Sequence, residues 1–404
     1  MNTEVNKMRD FCETTSSKRI YASEYVNAGV PFYRSKEVIE RQSGKRDVST
    51  EIYISESRFE EIERKFGAPQ KGDVLLTSVG TLGVPYVVGE GERFYFKDGN
   101  LTWFRNFRGL DSRYLYYWFL SPLGKSELNK ATIGSSQAAY TINLLSNLDI
   151  DPPVIDEQYK VVELLSAYDD LIETNRRRIA LLEESARLLY CEWFVKLRFP
   201  GHELAKVVNG VPEGWELKPV SDFASLLSRG ITPKYDDLAK GLIINQKCIR
   251  EGRLNLAPAR HQSKEVKQDK LVQIGDILIN STGAGTLGRV AQLRCEIADC
   301  TVDTHVTIVR PKLAKTMGFL GVALLEMAPV FESMGRGATN QLELGRADIA
   351  NLGLLTPPEQ LQVDFHSIVW TTFEQVQVLI DSCNLLSEAR DALLPKLMSG
   401  QLAV

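Results

Sequence analysis

The sequence predicts an α+β fold, in which two tandem α/β domains are separated by two long helices that form a coiled coil. Two observations predict this fold. One is an unbroken seam of mostly apolar residues between Val161 and Trp193, and the other is a set of motifs that occur once in each half of the chain. The 404 residues, 44% hydrophobic and 25% charged, suit a soluble protein of two or three domains.

The seam recurs at alternating steps of four and three residues, which is the spacing of a helix that packs along another helix. A helix from about Asp156 to Leu197, with Asp156 as its N-cap, would be roughly 60 Å long at ~1.5 Å per residue. That length exceeds the diameter of a small domain, so the helix is predicted to act as a strut. Its predicted packing residues are Val161, Leu165, Tyr168, Ile172, Ile179, Leu182 and Leu189.

A second long helix is predicted from Glu359 to Met398. Its seam consists of Phe365, Val369, Thr372, Val376, Leu379, Cys383 and Leu386. Of these, Val376, Leu379 and Leu386 are the predicted packing residues. Two helices of similar length, each following one copy of the repeat, are expected to pack on each other. Asn175 lies in the first seam, where it would either fix the register as a buried amide or remain solvated.

The repeat relates the two halves of the chain, so that Gly72-Asp73 returns as Gly275-Asp276 and the Gly80–Gly83 motif returns as Gly285–Gly288. Each long helix also follows a Pro-Pro pair. The predicted domains are residues 1–151, the central helix 152–200, the second domain 201–356 and the C-terminal helix 357–404. In the first copy, strands are expected at 51–54, 73–77, 86–88, 101–104 and 148–150, and a helix at 112–119.

The net charge of −4 conceals an asymmetry between the helices and the domains. Residues 1–150 carry 20 basic and 19 acidic side chains, and 201–355 carry 19 and 17. Residues 151–200 carry 7 and 10, and 356–404 carry 2 and 6. The acidic excess therefore belongs to the helical segments, a distribution that permits DNA binding by the domains without proving it.

Two short motifs resemble catalytic or nucleotide-binding signatures. Gly283 to Gly288 matches GxGxxG, but the residues that follow favour a strand over the helix that a dinucleotide site requires, so a glycine-rich hairpin is predicted. Asp151-Pro152-Pro153-Val154 lacks the aromatic fourth residue that adenine methyltransferases use to stack an extruded base. A diproline helix start is the favoured interpretation.

The sequence offers no active site. The four histidines (His202, His261, His305, His366) are isolated, and the six cysteines, including Cys295 and Cys300, lack metal-ligand spacing. Neither a Ser-His-Asp arrangement nor a carboxylate pair stands out. An apolar run of the ~20 residues needed to cross a bilayer is also missing. The scattered cysteines, which lack paired spacing, favour a reduced cytoplasmic location.

Polar loop residues occur in both copies, and their types are those that contact base edges and phosphates in DNA. Solvated loops are the simpler interpretation for any single residue, but each set as a whole favours DNA contact. The predicted DNA-binding residues are Arg34, Lys36, Arg41, Lys45, Arg46, Ser135, Ser136 and Gln137 in the first copy, and Gln246, Lys247, Arg250, Arg253, Thr282, Arg289, Arg336, Thr339, Asn340 and Gln341 in the second.

The sequence resembles the specificity subunits of type I restriction-modification systems. The segments that carry the resemblance are residues 170–184, 192–194, 198–201, 212–215 and 394–400, together with the two helix starts that combine Pro-Pro with Glu-Gln. The resemblance covers nearly the whole chain. It departs at the N-terminus, where the first copy lacks the Pro-Glu-Gly-Trp segment found at 212–215 of the second.

The resemblance implies that each α/β domain is a target recognition domain for one half of a split sequence in double-stranded DNA. The helices would pair antiparallel with pseudo-twofold symmetry, set the spacer, and dock N6-adenine methyltransferase (modification) subunits, two being expected, with restriction endonuclease subunits in the full complex. The chain itself would be non-catalytic and bind no cofactor directly. S-adenosylmethionine, ATP and Mg would belong to the partner subunits.

Three alternatives remain open from the sequence. The first is a free-standing duplicated DNA-binding protein that has no enzymatic partners. The second is an enzyme that binds a nucleotide through Gly283 to Gly288. The third is a purely structural interaction protein.

Overall fold

The computed structural model describes residues 6–44, 48, 50–132, 138–337 and 342–404. The chain divides into two compact units, of which unit 1 is Met1–Thr174 with Cys383–Val404 and unit 2 is Asn175–Ser382. Each unit therefore contains one α+β domain and one part of each long helix. The sequence-based division has four segments and treats each long helix as a segment of its own, whereas each compact unit includes parts of both helices. The boundaries of the four predicted segments stay a prediction.

Unit 1 alternates short strands and helices, and the first long helix begins in it. Its elements are α1 (Met8–Phe11), β1 (Glu13–Thr15), β2 (Tyr25–Val26), β3 (Val30–Tyr33), α2 (Ser35–Gln42), β4 (Tyr53–Ile54), α3 (Glu56–Phe66), β5 (Val74–Thr77), β6 (Pro85–Val87), β7 (Tyr95–Phe96), β8 (Leu101–Arg105), α4 (Ser112–Leu120), α5 (Pro122–Lys130), α6 (Ile142–Ser146) and α7 (Ile155–Tyr190). One sheet has the order β1-β8-β5-β6 and the other β2-β4-β3-β7.

Strand β5 is buried on both faces, which explains its continuous apolar sequence. Val74 and Leu76 pack in the cluster that contains α4, whereas Leu75 packs with Phe96 of β7 and Trp103 of β8. The alternation of side chains along the strand sends neighbouring residues to opposite faces. The expected strand at 148–150 is wrong, because an isolated bridge between Lys7 and Asp149 takes its place.

Unit 2 contains a larger set of strands and the beginning of the second long helix. Its elements are β9 (Val207–Val208), β10 (Val211–Pro212), β11 (Glu216–Pro219), β12 (Ala224–Arg229), β13 (Gly241–Ile244), β14 (Ile249–Arg250), β15 (Arg253–Leu254), β16 (Arg260–Gln262), β17 (Ile277–Asn280), β18 (Val290–Gln292), β19 (Cys300–Val302), β20 (Val306–Pro311), α8 (Met317–Glu326), α9 (Ala328–Ser333), α10 (Arg346–Asn351), β21 (Gly353–Thr356) and α11 (Glu359–Met398). The sheet β12-β20-β17-β18 repeats the order β1-β8-β5-β6.

The repeat extends to individual hydrogen bonds between side chains at the central strands. In unit 1 the Ser78 hydroxyl lies 2.7 Å from that of Thr102, and in unit 2 the Ser281 hydroxyl lies 2.6 Å from that of Thr307. All four side chains are buried, and each serine hydroxyl also bonds the carbonyl two residues before it, Leu76 in unit 1 and Ile279 in unit 2. The two domains thus share one framework.

Both long helices begin with the same hydrogen bond. The Gln158 side-chain amide donates to the Pro153 carbonyl at 2.7 Å, and that of Gln362 donates to the Pro357 carbonyl at 2.9 Å. Each bond satisfies a carbonyl that the proline-rich helix start would otherwise leave without a partner. The predicted diproline helix starts are confirmed.

Helix α7 starts one residue earlier than expected and ends in a π-helical turn, Cys191–Val195. The Val154 carbonyl already accepts bonds from the amides of Glu157 and Gln158, so Asp156 lies inside the first turn and is not the N-cap. Its carboxylate still suits the positive end of the helix dipole. Helix α11 has the expected bounds, Glu359–Met398.

The two helices pair antiparallel, because the early part of one packs with the late part of the other within each unit. In unit 1, Val161 and Leu165 pack with Leu394 and Leu397. In unit 2, the opposite ends meet, where Ala186, Tyr190 and Trp193 pack with Phe365, Val369 and Phe373. The predicted packing residues Val161, Leu165, Ile172, Ile179, Val376 and Leu379 are buried, and Tyr168, Leu182, Leu189 and Leu386 are half-buried.

Asn175 and Thr372 are polar residues at seam positions, and the structure shows how far each is buried. Asn175 is buried and its amide donates to the Ser382 hydroxyl at 3.3 Å, which decides between the two interpretations in favour of the buried amide. Thr372 is only half-buried and its hydroxyl bonds the Ile368 carbonyl, whereas the neighbouring Phe373 is buried. In the described part of the chain, no helix is both long enough and apolar enough to span a membrane.

Candidate nucleic-acid interface

The glycine-rich motif of unit 2 forms the loop of a β-hairpin. Strands β17 and β18 pair antiparallel on either side of it, and the Gly288 amide bonds the Asn280 carbonyl at 2.9 Å. The amides of Thr286 and Leu287 both donate to the Gly283 carbonyl. Because these amides are used within the loop and no helix follows, the segment is the predicted hairpin and lacks the geometry of a dinucleotide site.

The hairpin loop of unit 2 lies beside the ends of two other strands. The Asn280 side chain donates to the Gln246 carbonyl at 2.9 Å, just after β13, and the Ser281 amide donates to the His305 carbonyl at 2.8 Å, just before β20. The Thr282 hydroxyl lies 2.6 Å from His305 Nδ1. We call Gln246, Lys247, Thr282 and His305 the unit 2 tip.

Unit 1 has the same arrangement. The Ser35 hydroxyl, just after β3, donates to the carbonyls of Val79 and Asn100 at 3.3 and 3.4 Å. The Ser78 amide donates to the Asn100 carbonyl at 2.8 Å, which matches the bond from Ser281 to His305 in unit 2. We call Ser35, Lys36, Val79 and Asn100 the unit 1 tip.

The predicted residues of unit 1 divide between exposed and internally paired side chains. Lys36 is exposed at the tip. Arg34 pairs with Glu37 at 2.7 Å, and this hydrogen bond raises the pKa of the Arg34 guanidinium. Arg41 turns toward the Tyr33 hydroxyl, 3.3 Å away. Among the predicted cations of unit 1 that the structure describes, Lys36 is the one with a clear path to a ligand.

In unit 2, Lys247 and Arg250 are exposed. Arg289 donates to the Gly285 carbonyl within its own loop at 2.7 Å. Arg336 pairs with Asp348 at 2.9 Å but remains highly exposed, so it can still reach a ligand.

Arg253 was predicted to contact DNA, but its side chain lies against helix α7. Its guanidinium pairs with Glu183 on α7, and Arg294 pairs with the other carboxylate oxygen of Glu183 at 2.9 Å. Arg294 also stacks on the Phe373 ring at 3.6 Å. These contacts hold the domain of unit 2 against its own helices, so Arg253 has a structural role.

Several predicted residues lie outside the described part of the chain: Lys45, Arg46, Ser135, Ser136, Gln137, Thr339, Asn340 and Gln341. Residues close to two of these segments pair with the tips. Ala139 forms a bridge with Val79, and Glu343 forms one with Thr282. Sequence reasoning missed Asn100, and it treated His305 only as an isolated histidine. The sequence signal that could have identified both residues is their equivalent position in the repeat, directly before β8 and directly before β20.

Among the described residues, no group of three or more His, Cys, Asp or Glu side chains could hold a metal ion. The six cysteines are unpaired as disulfides. His366 has a structural role, because its Nδ1 accepts the Gly318 amide at 3.1 Å and burial lowers the pKa of its ring.

The fold and its two tips define a class of protein, namely a tandem duplication that presents two similar polar loop surfaces and contains paired long helices. Residues 2–184 match the family model described as the type I restriction modification DNA specificity domain. Over nearly its whole length the chain is similar to a type I restriction enzyme specificity subunit, and the family model matches its N-terminal part.

Individual relatives and a solved structure show the same similarity. The MjaIX specificity subunit of Methanocaldococcus jannaschii is 26% identical over 420 residues, covering 99% of this chain and 94% of the relative. The HindI specificity subunit of Haemophilus influenzae is 21% identical and covers 65% of this chain and 71% of the relative. The crystal structure of the S subunit from M. genitalium has the same fold, with a TM-score of 0.58 at 15% identity over 98% of this chain and 97% of that one.

Proposed function

We propose that the chain recognises DNA for a type I restriction-modification complex, with each α+β domain reading one half of a bipartite target in double-stranded DNA. The observation that carries the proposal is the duplicated tip. Identical buried hydroxyl pairs support loops whose exposed side chains differ between the two copies. A constant framework with variable loops is what two related domains need to read two different sequences.

The unit 1 tip carries Lys36 and Asn100, and the unit 2 tip carries Gln246 and Lys247. Lys, Asn and Gln are types that contact base edges in the major groove, each good contact being worth ~1–3 kcal/mol of discrimination. The domains have almost no net charge, +1 for residues 1–150 from 20 basic and 19 acidic side chains. Because affinity for DNA depends mainly on phosphate contacts, the isolated chain should bind weakly. Partner subunits would then supply much of the phosphate clamp.

The helix pair is proposed to set the spacer between half-sites and to dock two N6-adenine methyltransferase subunits. A reach of one DNA turn, ~34 Å, is compatible with helices of this length. Docking is supported by large apolar side chains that are exposed on both helices: Leu171, Leu181, Leu188, Ile368, Val378 and Leu385. Exposed apolar side chains that recur along a helix suit a protein partner.

The full complex is proposed to include restriction endonuclease subunits and to work in the cytoplasm. S-adenosylmethionine, ATP and Mg would be bound by the methyltransferase and restriction subunits, whose activities this chain would direct. In this arrangement the chain contributes sequence recognition and geometry, and its partners contribute chemistry.

The proposal is tested by co-expressing the chain with its methyltransferase subunit in a host that lacks adenine methylation. Sequencing that detects N6-methyladenine should reveal one motif with two specified parts separated by unspecified base pairs. A complex that methylates a single continuous motif would contradict bipartite reading. A chain that binds specific DNA but co-purifies with no methyltransferase would instead identify a free-standing DNA-binding protein.

A further inference from the structure

The central strands β8 and β20 are preceded by equivalent residues that differ chemically between the two units. Asn100 precedes β8, and its carbonyl accepts the Ser78 amide. His305 precedes β20, and its carbonyl accepts the Ser281 amide. Both bonds are 2.8 Å long, so the two residues hold the same place on one framework.

The His305 ring is held in a fixed orientation. Its backbone amide donates to Asp303 at 2.9 Å, and Asp303 is buried. Its Nδ1 lies 2.6 Å from the Thr282 hydroxyl, which leaves Nε2 without a partner among the described residues. The residue is nevertheless exposed. An exposed ring that is oriented in advance loses little entropy when it meets a ligand.

Asn100 is surrounded by the equivalent residues of unit 1. The Ser35 hydroxyl donates to its carbonyl, and Lys36 follows Ser35 on the exposed side of α2. In unit 2, Gln246 and Lys247 follow β13 in the same way that Ser35 and Lys36 follow β3. A lysine is therefore conserved between the two tips, whereas the residue before the central strand changes from Asn to His.

We propose that Asn100 and His305 are specificity-determining residues, each reading a base pair of the half-site bound by its own domain. This inference rests on the proposed function. An asparagine amide offers a donor and an acceptor, the pattern that matches adenine N6 and N7. A histidine ring offers a single nitrogen to a base edge, which suits a guanine acceptor when that nitrogen carries a proton.

The shared lysines serve a different role in this arrangement. Lys36 and Lys247 provide charge without fixed geometry, which suits a phosphate or a common base contact at both tips. The residues that differ between the tips, rather than those that are shared, then account for two different half-sites.

The test uses the chain co-expressed with its methyltransferase subunit and maps N6-methyladenine motifs for His305→Ala, Asn100→Ala and the exchange variants His305→Asn and Asn100→His. Each change should reduce discrimination at one base pair of one half-site by about tenfold or more. The other half-site and the spacer should stay unchanged. His261→Ala and Asn129→Ala, which alter exposed residues away from the tips, should leave both half-sites unchanged.

Thermal unfolding of each variant separates a change in reading from a change in folding. The inference is overturned if the motif is unaffected by the tip variants, or if both half-sites change together. A wild-type complex that methylates no bipartite motif would overturn the proposed function, and this inference with it. A bipartite wild-type motif that the tip variants leave intact would overturn the inference alone.

Discussion

Replacing Glu183 with alanine should destabilise unit 2 by about 3 kcal/mol. The carboxylate of Glu183 pairs with both Arg253 and Arg294, and the Arg294 side chain is only 11% exposed. Burial lowers the pKa of the Arg294 guanidinium, which shows how poorly its charge is solvated. Removing the one carboxylate would leave that charge buried without a partner, which costs several kcal/mol in proteins.

Chemical unfolding of the full chain, followed by circular dichroism, measures this effect. Glu184→Ala is the matched control, because Glu184 is exposed and pairs with Arg187 on its own helix, where a solvent-exposed pair contributes little to stability. The double variant Glu183→Leu with Arg294→Met should recover part of the lost stability, since it replaces the ion pair with apolar contacts. Equal stability of the Glu183 and Glu184 variants would show that the ion pairs do not hold the domain to the helix.

The second large effect concerns the docking surface that we propose on α7. Leu181→Glu combined with Leu188→Glu should weaken association with the methyltransferase subunit by at least about 100-fold, because buried interface residues of this kind contribute ~2 kcal/mol or more each. Leu181 is 65% exposed and Leu188 47% exposed, so the chain should still fold. Co-purification with a tagged methyltransferase subunit, and titration calorimetry where yields permit, provide the measurement.

Leu238→Glu is the control for this experiment. Leu238 is 97% exposed in unit 2 and lies outside both long helices, so its replacement should leave association unchanged. Undiminished recovery of the methyltransferase subunit with the double variant would place the docking surface elsewhere on the chain.

The features predicted well from sequence are those encoded by local periodicity. Helix α11 was expected from Glu359 to Met398 and has those bounds, since a seam with steps of four and three fixes both the element and its buried face. The repeat was also visible, because Gly-Asp turns and Pro-Pro helix starts recur at a nearly constant offset. The hairpin at Gly283 to Gly288 followed from the strand pattern on both sides.

Contacts between distant residues could not be predicted in this way. Glu183 and Arg294 are 111 residues apart, and nothing in either local sequence indicates the pair. Arg253 was expected to contact DNA because cations in loops often do, but the chain brings it back to α7. Asn100 was missed, and His305 was treated as isolated, because only sheet topology brings them beside Ser35 and Thr282.

The most direct test of the central claim is to shorten the helix pair and measure the spacer of the methylated motif. Because Asn175 lies opposite Ser382, residues 176–182 of α7 face residues 375–381 of α11 in an antiparallel pair. Deleting both segments removes one heptad from each helix and keeps the phase of the seam.

At ~1.5 Å of rise per residue the deletion shortens the pair by about 10 Å, which corresponds to about 3 base pairs at ~3.4 Å each. We expect the methyltransferase complex of this variant to recognise the same two half-sites with a spacer about 3 base pairs shorter. An unchanged spacer between the same half-sites would contradict the claim that the helices set the distance.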